Sequence, residues 1–213
     1  MEPTHDAYSW VAQHYDRFLE PLNAPLRQLT LRQFPMGPGM RVLDVGCGTG
    51  AHLDAFADTG ASCWGVDLSP GMLEVAKDRL PDSVDLRLGD ATDLPFGDGF
   101  FDTVFTSLFL HELDSATRSA VLGEMGRVTA TDGRMIVIDY RSGDLRWKGR
   151  AWRAFSTVTE RIAGTNHYGA WRAYLADGGV ASQLPPGLVV ESEKIVAGGN
   201  LALWGIGHAA QVS

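Results

Sequence analysis

The chain has 213 residues, of which 45% are hydrophobic and 21% charged, and carries a formal charge of −8. That length suits one α/β domain with a full core and excludes two large ones. The acidic balance argues against a partner held through nucleic-acid phosphates, which calls for a basic face.

No apolar run approaches the ~20 residues of a membrane helix. The opening Met-Glu-Pro-Thr-His-Asp has neither the basic nor the apolar region of a signal peptide, so a cytoplasmic chain is expected. The two cysteines, Cys47 and Cys63, fall at opposite ends of two expected neighbouring strands and are expected to stay reduced. No metal-ligand spacing is present.

Residues 1–39 carry apolar positions at helical spacing, including Tyr8, Trp10, Val11, Tyr15, Phe18 and Leu19. Pro21 and Pro25 break that run, and a second helix is expected from Leu26 to Phe34. Then comes the stretch around which the chain is organised. Val42-Leu43-Asp44-Val45 reads as a buried parallel strand, and Gly46, Gly48 and Gly50 follow at alternate positions around Cys47. Without a Cβ, those glycines let the backbone turn sharply and lie close to a ligand. A helix is expected through Ala51–Ala57. Strand, glycine loop and helix together lay out a nucleotide-type site at the carboxyl edge of an open sheet. The loop lacks the Gly-Lys-Ser/Thr ending of a P-loop.

The second strand, Ser62–Asp67, ends in a carboxylate 21 residues after Gly46, placed to accept both ribose hydroxyls of an adenosine-type cofactor. Leu68 follows. Ser69 and Pro70 then suit the N-cap and first turn of a helix that includes Met72. Val84–Gly89 alternates as a third strand before Asp90-Ala91. Phe101–Leu108 is the fourth, with Ser107, His111 and Glu112 at or just past its carboxyl end. His111 is placed to take a proton from a nucleophile, since an imidazole near pKa ~6.5 suits a base at neutral pH. Glu112 is expected to face solvent. A helix over Ser115–Val128 and a turn at Thr131-Asp-Gly133 lead to a fifth strand closing on Asp139-Tyr140.

In 141–182 the aromatics Trp147, Trp152 and Phe155 recur at helical intervals, Gly164–Gly169 interrupts, and Trp171, Tyr174 and Leu175 continue on a second helix. Trp152 and Phe155 are expected in the core against the sheet, while His167 and Tyr168, in a loop at a helix start, are expected in the site. Two last strands, Leu188–Ala197 and Asn200–His208, are joined by the hairpin signal Gly198-Gly199.

On these residues the chain resembles the class I S-adenosylmethionine-dependent methyltransferases. The matching stretches are Val-Leu-Asp-Val-Gly-Cys-Gly-Thr-Gly, Val-Asp-Leu-Ser-Pro-Gly-Met-Leu and Asp90-Ala91, and the likeness runs from about Met40 to the C-terminus. Within the class it is most similar to a small-molecule branch that includes the ubiquinone/menaquinone-biosynthesis methyltransferases. The resemblance implies a Rossmann-like fold: a seven-stranded, mostly parallel sheet with an antiparallel last strand and helices on both faces. It divides the single domain into an N-terminal helical lid (1–39), a cofactor-binding core (40–140), a helical substrate cap (141–182) and a C-terminal hairpin (183–213).

The implied cofactor is S-adenosylmethionine, with S-adenosylhomocysteine as product. The implied cofactor residues are Tyr15, Asp44, Gly46, Cys47, Gly48, Gly50, Asp67, Leu68, Met72, Asp90, Ala91 and Ser107, with Leu68 and Met72 walling the adenine. Tyr8, His111, Asp139, Tyr140, His167 and Tyr168 fall to a small acceptor, apolar or aromatic in kind. His111 and His167 are the expected bases. No metal is required. Monomer and homodimer stay open.

Two other readings compete with this one. Gly46-x-Gly48-x-x-Ala51 with Asp67 also satisfies a dinucleotide fingerprint, as of an NAD-dependent oxidoreductase. Ser-Pro-Gly-Met after the second strand, Asp90-Ala91 after the third, the terminal hairpin and the lack of room for a separate catalytic domain weigh against it. A non-catalytic binder of the cofactor or of a partner protein is the other alternative.

Overall fold

A computed structural model describes residues 23–163 and 165–209. Tyr8 and Tyr15, and with them most of the expected lid, lie outside the described residues.

Helix α1 is described over residues 23–33 and includes Pro25. Strands β1 (Arg41–Val45), β2 (Ser62–Asp67), β3 (Asp85–Leu88), β4 (Phe101–Ser107) and β5 (Thr129–Tyr140) alternate with α2 (Ala51–Ala57), α3 (Pro70–Arg79) and α4 (Ser115–Val128). Helices α5 (Trp147–Ala163) and α6 (Thr165–Ala176) precede β6 (Leu188–Val196) and β7 (Leu201–His208). One seven-stranded sheet runs β3-β2-β1-β4-β5-β7-β6. β1 to β5 pair in parallel, and β7 is antiparallel to both of its neighbours. The expected fold is therefore present, with β7 inserted between β5 and β6.

Alternation in the central strands supplies both faces. Leu43, Val104 and Val137 point to a core completed by Leu122 and Met125 of α4 and by Trp171 and Tyr174 of α6. Val42, Phe105, Ile136 and Ile138 point to the other, with Leu26, Phe56 and Leu73 from α1, α2 and α3. This double burial is why the strands read as continuous apolar runs.

The helix starts follow their caps. The Ser69 hydroxyl accepts from Met72 N, and Asp114 accepts from the Ala116 and Thr117 N–H groups. The expected turn at Thr131–Gly133 is instead part of β5, taken up as an irregularity in its pairing with β4. Cys63 pairs with Val42 at the far end of β1 from Cys47, and both thiols are free.

Candidate cofactor and acceptor sites

The carboxyl ends of β1, β2 and β4 meet at the glycine loop. The N–H groups of Gly46 and Cys47 both donate to the Val66 carbonyl, at 2.9 and 3.1 Å, which bends the chain off β1 towards β2. Gly46, Gly48 and Gly50 all have left-handed backbone, with φ of 69°, 52° and 74°. They are not equivalent. A Cβ at Gly46 would lie 2.8 Å from the Phe109 ring, and one at Gly50 would lie 2.6 Å from Leu80, whereas one at Gly48 would meet nothing within 4 Å. Packing thus fixes the outer two glycines, and the middle one presents bare backbone to open space. The Cys47 side chain is buried, so its backbone is the part the loop can offer.

Asp67 ties this loop to the second strand. Its Oδ2 accepts from Gly48 N and its Oδ1 from Ser69 N, both at 2.8 Å. Burial pushes its carboxyl pKa up, the Ser69 and Gly48 N–H groups pull it down, and the Glu112 charge adds to the rise. Asp44, buried in β1, is pushed well up by burial and by the Asp67 charge. Immediately after Asp67, Leu68 leaves 71% of its surface exposed. An apolar side chain stranded beside a carboxylate suits a flat, partly apolar ligand with hydroxyls on one edge, and adenosine is such a group.

Asp90 sits at the next strand end. Its Oδ1 accepts from both the N–H and the hydroxyl of Thr92 at 2.8 Å, bonds that hold its pKa low. Ala91 packs against the core, and Met72 sits half-buried in the first turn of α3. At the end of β4, Ser107 precedes Leu108, a non-glycine residue at φ 52° whose N–H donates to Ile138 O at 2.8 Å. Such backbone is strained and persists only where surrounding structure holds it. Here it turns Phe109 over Gly46. Phe109 went unnoticed in the sequence, where it is one apolar residue among several.

The second half of the site lies between the Leu110–Glu112 turn and the α5–α6 cap. The His111 Nδ1 lies 2.8 Å from Asp139 Oδ1, and His111 N donates to Asp139 Oδ2 at 3.2 Å. Its Nε2 lies 3.5 Å from Glu160 Oε1, which also accepts from the Tyr140 hydroxyl at 3.0 Å. Glu160 Oε2 lies 3.2 Å from His167 Nδ1, and His167 Nε2 lies 3.4 Å from Glu112 Oε2. The carboxylates and imidazoles therefore form one chain: Asp139, His111, Glu160, His167, Glu112.

Burial alone would lower the His111 imidazole, but the charges and bonds of Asp139 and Glu160 outweigh it and raise the pKa to about 10. Bonds to Glu112 and then Glu160 raise His167 to about 9. Glu160, which burial would raise, is held at about 2 by His111 and His167. Burial and the Glu160 charge push the Tyr140 phenol up.

Several expectations change here. Asp139 is fully buried and serves His111 and the Tyr140 N–H instead of lining the pocket. Glu112 is exposed, as expected, and its Oε2 also reaches His167 Nε2 at 3.4 Å. His167 lies in the first turn of α6, so the break expected over Gly164–Gly169 is narrower. Tyr168 packs beside Trp171, ring centroids 5.8 Å apart. Trp152 and Phe155 are exposed, not core.

Glu160 escaped sequence reading because Arg153, Ser156 and Glu160 form the polar stripe of α5, and a polar stripe ordinarily faces water. In this fold that stripe faces inward. Arg153 donates to Asn200 Oδ1 and to the Arg141 carbonyl, and Ser156 Oγ accepts from Asn200. Arg118 was missed for a similar reason. It is fully buried and donates to the Leu110 and Leu113 carbonyls at 2.9 and 2.6 Å, fastening the turn that carries His111.

The family model described as "Methyltransferase domain" matches residues 43–137. The chain is 34% identical over 203 residues to an uncharacterized methyltransferase of Synechocystis sp., covering 91% of this chain and 89% of that protein. It is 41% identical over 114 residues to a demethylmenaquinone methyltransferase of Renibacterium salmoninarum, covering 54% of this chain and 47% of that one. The chain spans about half the length of the demethylmenaquinone methyltransferases it matches. Among solved structures, a chain in the complex of the Haloferax volcanii Trm112 methyltransferase activator superposes with a TM-score of 0.70 at 20% identity, covering 98% of this chain and 100% of that one. A SAM-dependent methyltransferase from Aquifex aeolicus gives 0.58 at 19% identity, covering 84% and 88%. At such identities the structural likeness speaks for the fold alone.

Proposed function

We propose, because the chain belongs to the S-adenosylmethionine-dependent methyltransferases, that it methylates a small apolar or aromatic acceptor held between the Leu110–Glu112 turn and the α5–α6 cap. S-adenosylmethionine, when bound, supplies an electrophilic methyl group on a sulfonium leaving group. The residues present fit it. Asp67 offers acceptor oxygens for the ribose, Gly48 offers unshielded backbone, Leu68 and Met72 offer apolar walls, and Asp44, Asp90, Ala91 and Ser107 stand around the same strand ends.

The observation that carries the acceptor reading is the imidazole–carboxylate chain beside the cofactor residues. Glu112 is close enough for its charge to raise Asp67, so the two halves adjoin. Both nitrogens of His111 face carboxylates inside the protein, which suits a positioning role. His167 is partly open to solvent, and its Nε2 side opens towards Glu112. In this reading His167, once neutral, takes the proton from an oxygen or carbon nucleophile, and Glu160 and Glu112 hold the imidazolium that results. Tyr168 is the partly exposed ring on this side, with Trp171 buried behind it. Most of the catalytic gain would come from holding nucleophile and methyl carbon near ~3 Å in line, with water excluded.

The test is turnover of acceptor panels, in which phenols, quinols and enolisable ketones are compared with amines and thiols of similar size. Consumption of S-adenosylmethionine with an oxygen or carbon acceptor, lost in His167→Ala and retained in part in His111→Asn, supports the assignment. Equal rates for the wild type and His167→Ala contradict it. A demethylated quinol deserves first place in the panel because of the similarity to demethylmenaquinone methyltransferases.

A further inference from the structure

Helix α5 is mounted with its apolar side outward. Trp147, Trp152, Phe155 and Val158 expose 74%, 37%, 50% and 55% of their surface. At 100° per residue these four fall within one arc, while Ser156, Glu160 and Arg153 fall on the opposite, buried side. The mounting is fixed. Gly149, on the N-terminal turn, lies so close to the Gly198 backbone that a Cβ there would overlap it, and Arg146 N donates to Gly198 O at 2.9 Å. Arg153 pins the middle of the helix to Asn200 and Arg141.

The charge around this face is opposite to that of the whole chain. Residues 141–161 hold Arg141, Arg146, Lys148, Arg150, Arg153 and Arg161 against Asp144 and Glu160, in a chain of formal charge −8. Arg146, Lys148, Arg150 and Arg161 are exposed: Arg146 just precedes the helix, Lys148 falls within the aromatic arc, and Arg150 and Arg161 fall beside one edge of it, whereas Glu160 is turned inward to two histidines. Arg146, Trp147 and Lys148 also line a depression of about 410 Å³ together with Gly198. Two cations and an indole around an open hollow match a phosphate-bearing headgroup.

We propose that α5 is an interfacial helix that lays Trp147, Trp152, Phe155 and Val158 on an anionic lipid surface, with Arg146, Lys148 and Arg150 on the headgroups. An exposed aromatic–aliphatic stripe flanked by Lys and Arg is the composition of a helix lying in a bilayer interface. Among the described residues no helix is long and apolar enough to cross a membrane, so the helix lies on the surface. The remaining negative charge of the chain opposes binding weakly, because charges beyond a Debye length of ~8–10 Å are screened. Local cations contribute most of the attraction to an anionic surface. The inner side of the same helix carries Glu160, so a lipid-soluble acceptor would enter beside the imidazole–carboxylate chain. The docking surface itself does not depend on what that acceptor is.

The test is flotation of the full chain with vesicles of phosphatidylcholine alone and of phosphatidylcholine mixed with phosphatidylglycerol. Phe155→Glu and the pair Lys148→Glu/Arg150→Glu are compared with wild type, with a circular-dichroism melt to verify folding. Wild type is expected to float with the anionic vesicles and not with the neutral ones, and to be released when salt rises from about 0.05 to about 0.5 M. Both variants are expected to melt like wild type and to partition at least roughly tenfold less. Failure to float with anionic vesicles at low salt overturns the proposal, as does flotation that neither variant weakens. A dimer in solution that Phe155→Glu dissolves, with no vesicle binding, also overturns it and assigns the face to a second copy of the chain.

Discussion

Gly46 cannot take a side chain without moving Phe109, and its left-handed backbone adds its own cost, about 1–2 kcal/mol for a residue with a Cβ. Gly46→Ala is therefore expected to lower stability by about 2 kcal/mol or more in urea melts, whereas Gly48→Ala meets no steric clash and is expected to cost little beyond the backbone term. Ligand binding should reverse this order of tolerance, because the open face belongs to Gly48. His167 offers a second residue-scale test. Since Glu112 and Glu160 raise it to about 9, about 1% of it is neutral at pH 7, and the neutral share grows tenfold per pH unit up to that value. If His167 is the base, kcat rises with pH until about 9 and then levels. His167→Ala removes that limb and costs on the order of a hundredfold.

At the scale of elements, the Leu110–Glu112 turn is held by Arg118, whose guanidinium carbon rests 4.8 Å over the Tyr174 ring. Arg118→Met keeps the volume but strips donors from two carbonyls, with an expected cost of about 2–3 kcal/mol and a looser His111. A fall in the urea midpoint, with broadened ring signals for His111, would check this. Elements were also where the sequence spoke most clearly. The strands of the cofactor half announce themselves because they are buried on both faces, and α3 and α4 because Ser69 and Asp114 cap them. Helix α5 was legible as a helix but not in its orientation. Its aromatic stripe resembles a core face, and only the fastening of Arg153 to Asn200 and the fit of Gly149 against Gly198 turn that stripe outward. Periodicity names the faces of a helix and leaves open which one the fold will bury.

Across the whole molecule, the imidazole–carboxylate chain links folding to pH. His111, raised from 6.5 to about 10, contributes stability that is complete below about 6.5 and is lost as pH rises through about 10. Glu160, lowered from 4.5 to about 2, contributes stability that is present above about 4.5 and is lost as pH falls through about 2. The Tm difference between wild type and Glu160→Gln is thus expected to be largest between about pH 4.5 and 6.5 and to shrink on either side; a difference that grows towards pH 10 would contradict the assignment. Such a chain could not be read from sequence, because its members come from the β4 loop, β5, α5 and α6, and nothing in local spacing brings Glu160 to His111. The cofactor side was legible because strand ends of a parallel sheet converge wherever the order of strands is known. Its central claim, that Asp67 and the glycine loop hold S-adenosylmethionine, is tested most directly by calorimetric titration of wild type and Asp67→Ala with S-adenosylhomocysteine, with NADH as control. Micromolar binding of S-adenosylhomocysteine that Asp67→Ala weakens by a hundredfold or so is the expected result, since hydrogen bonds to a charged group contribute about 1.5–3 kcal/mol. Equal binding by both proteins, or binding of NADH in its place, would contradict it.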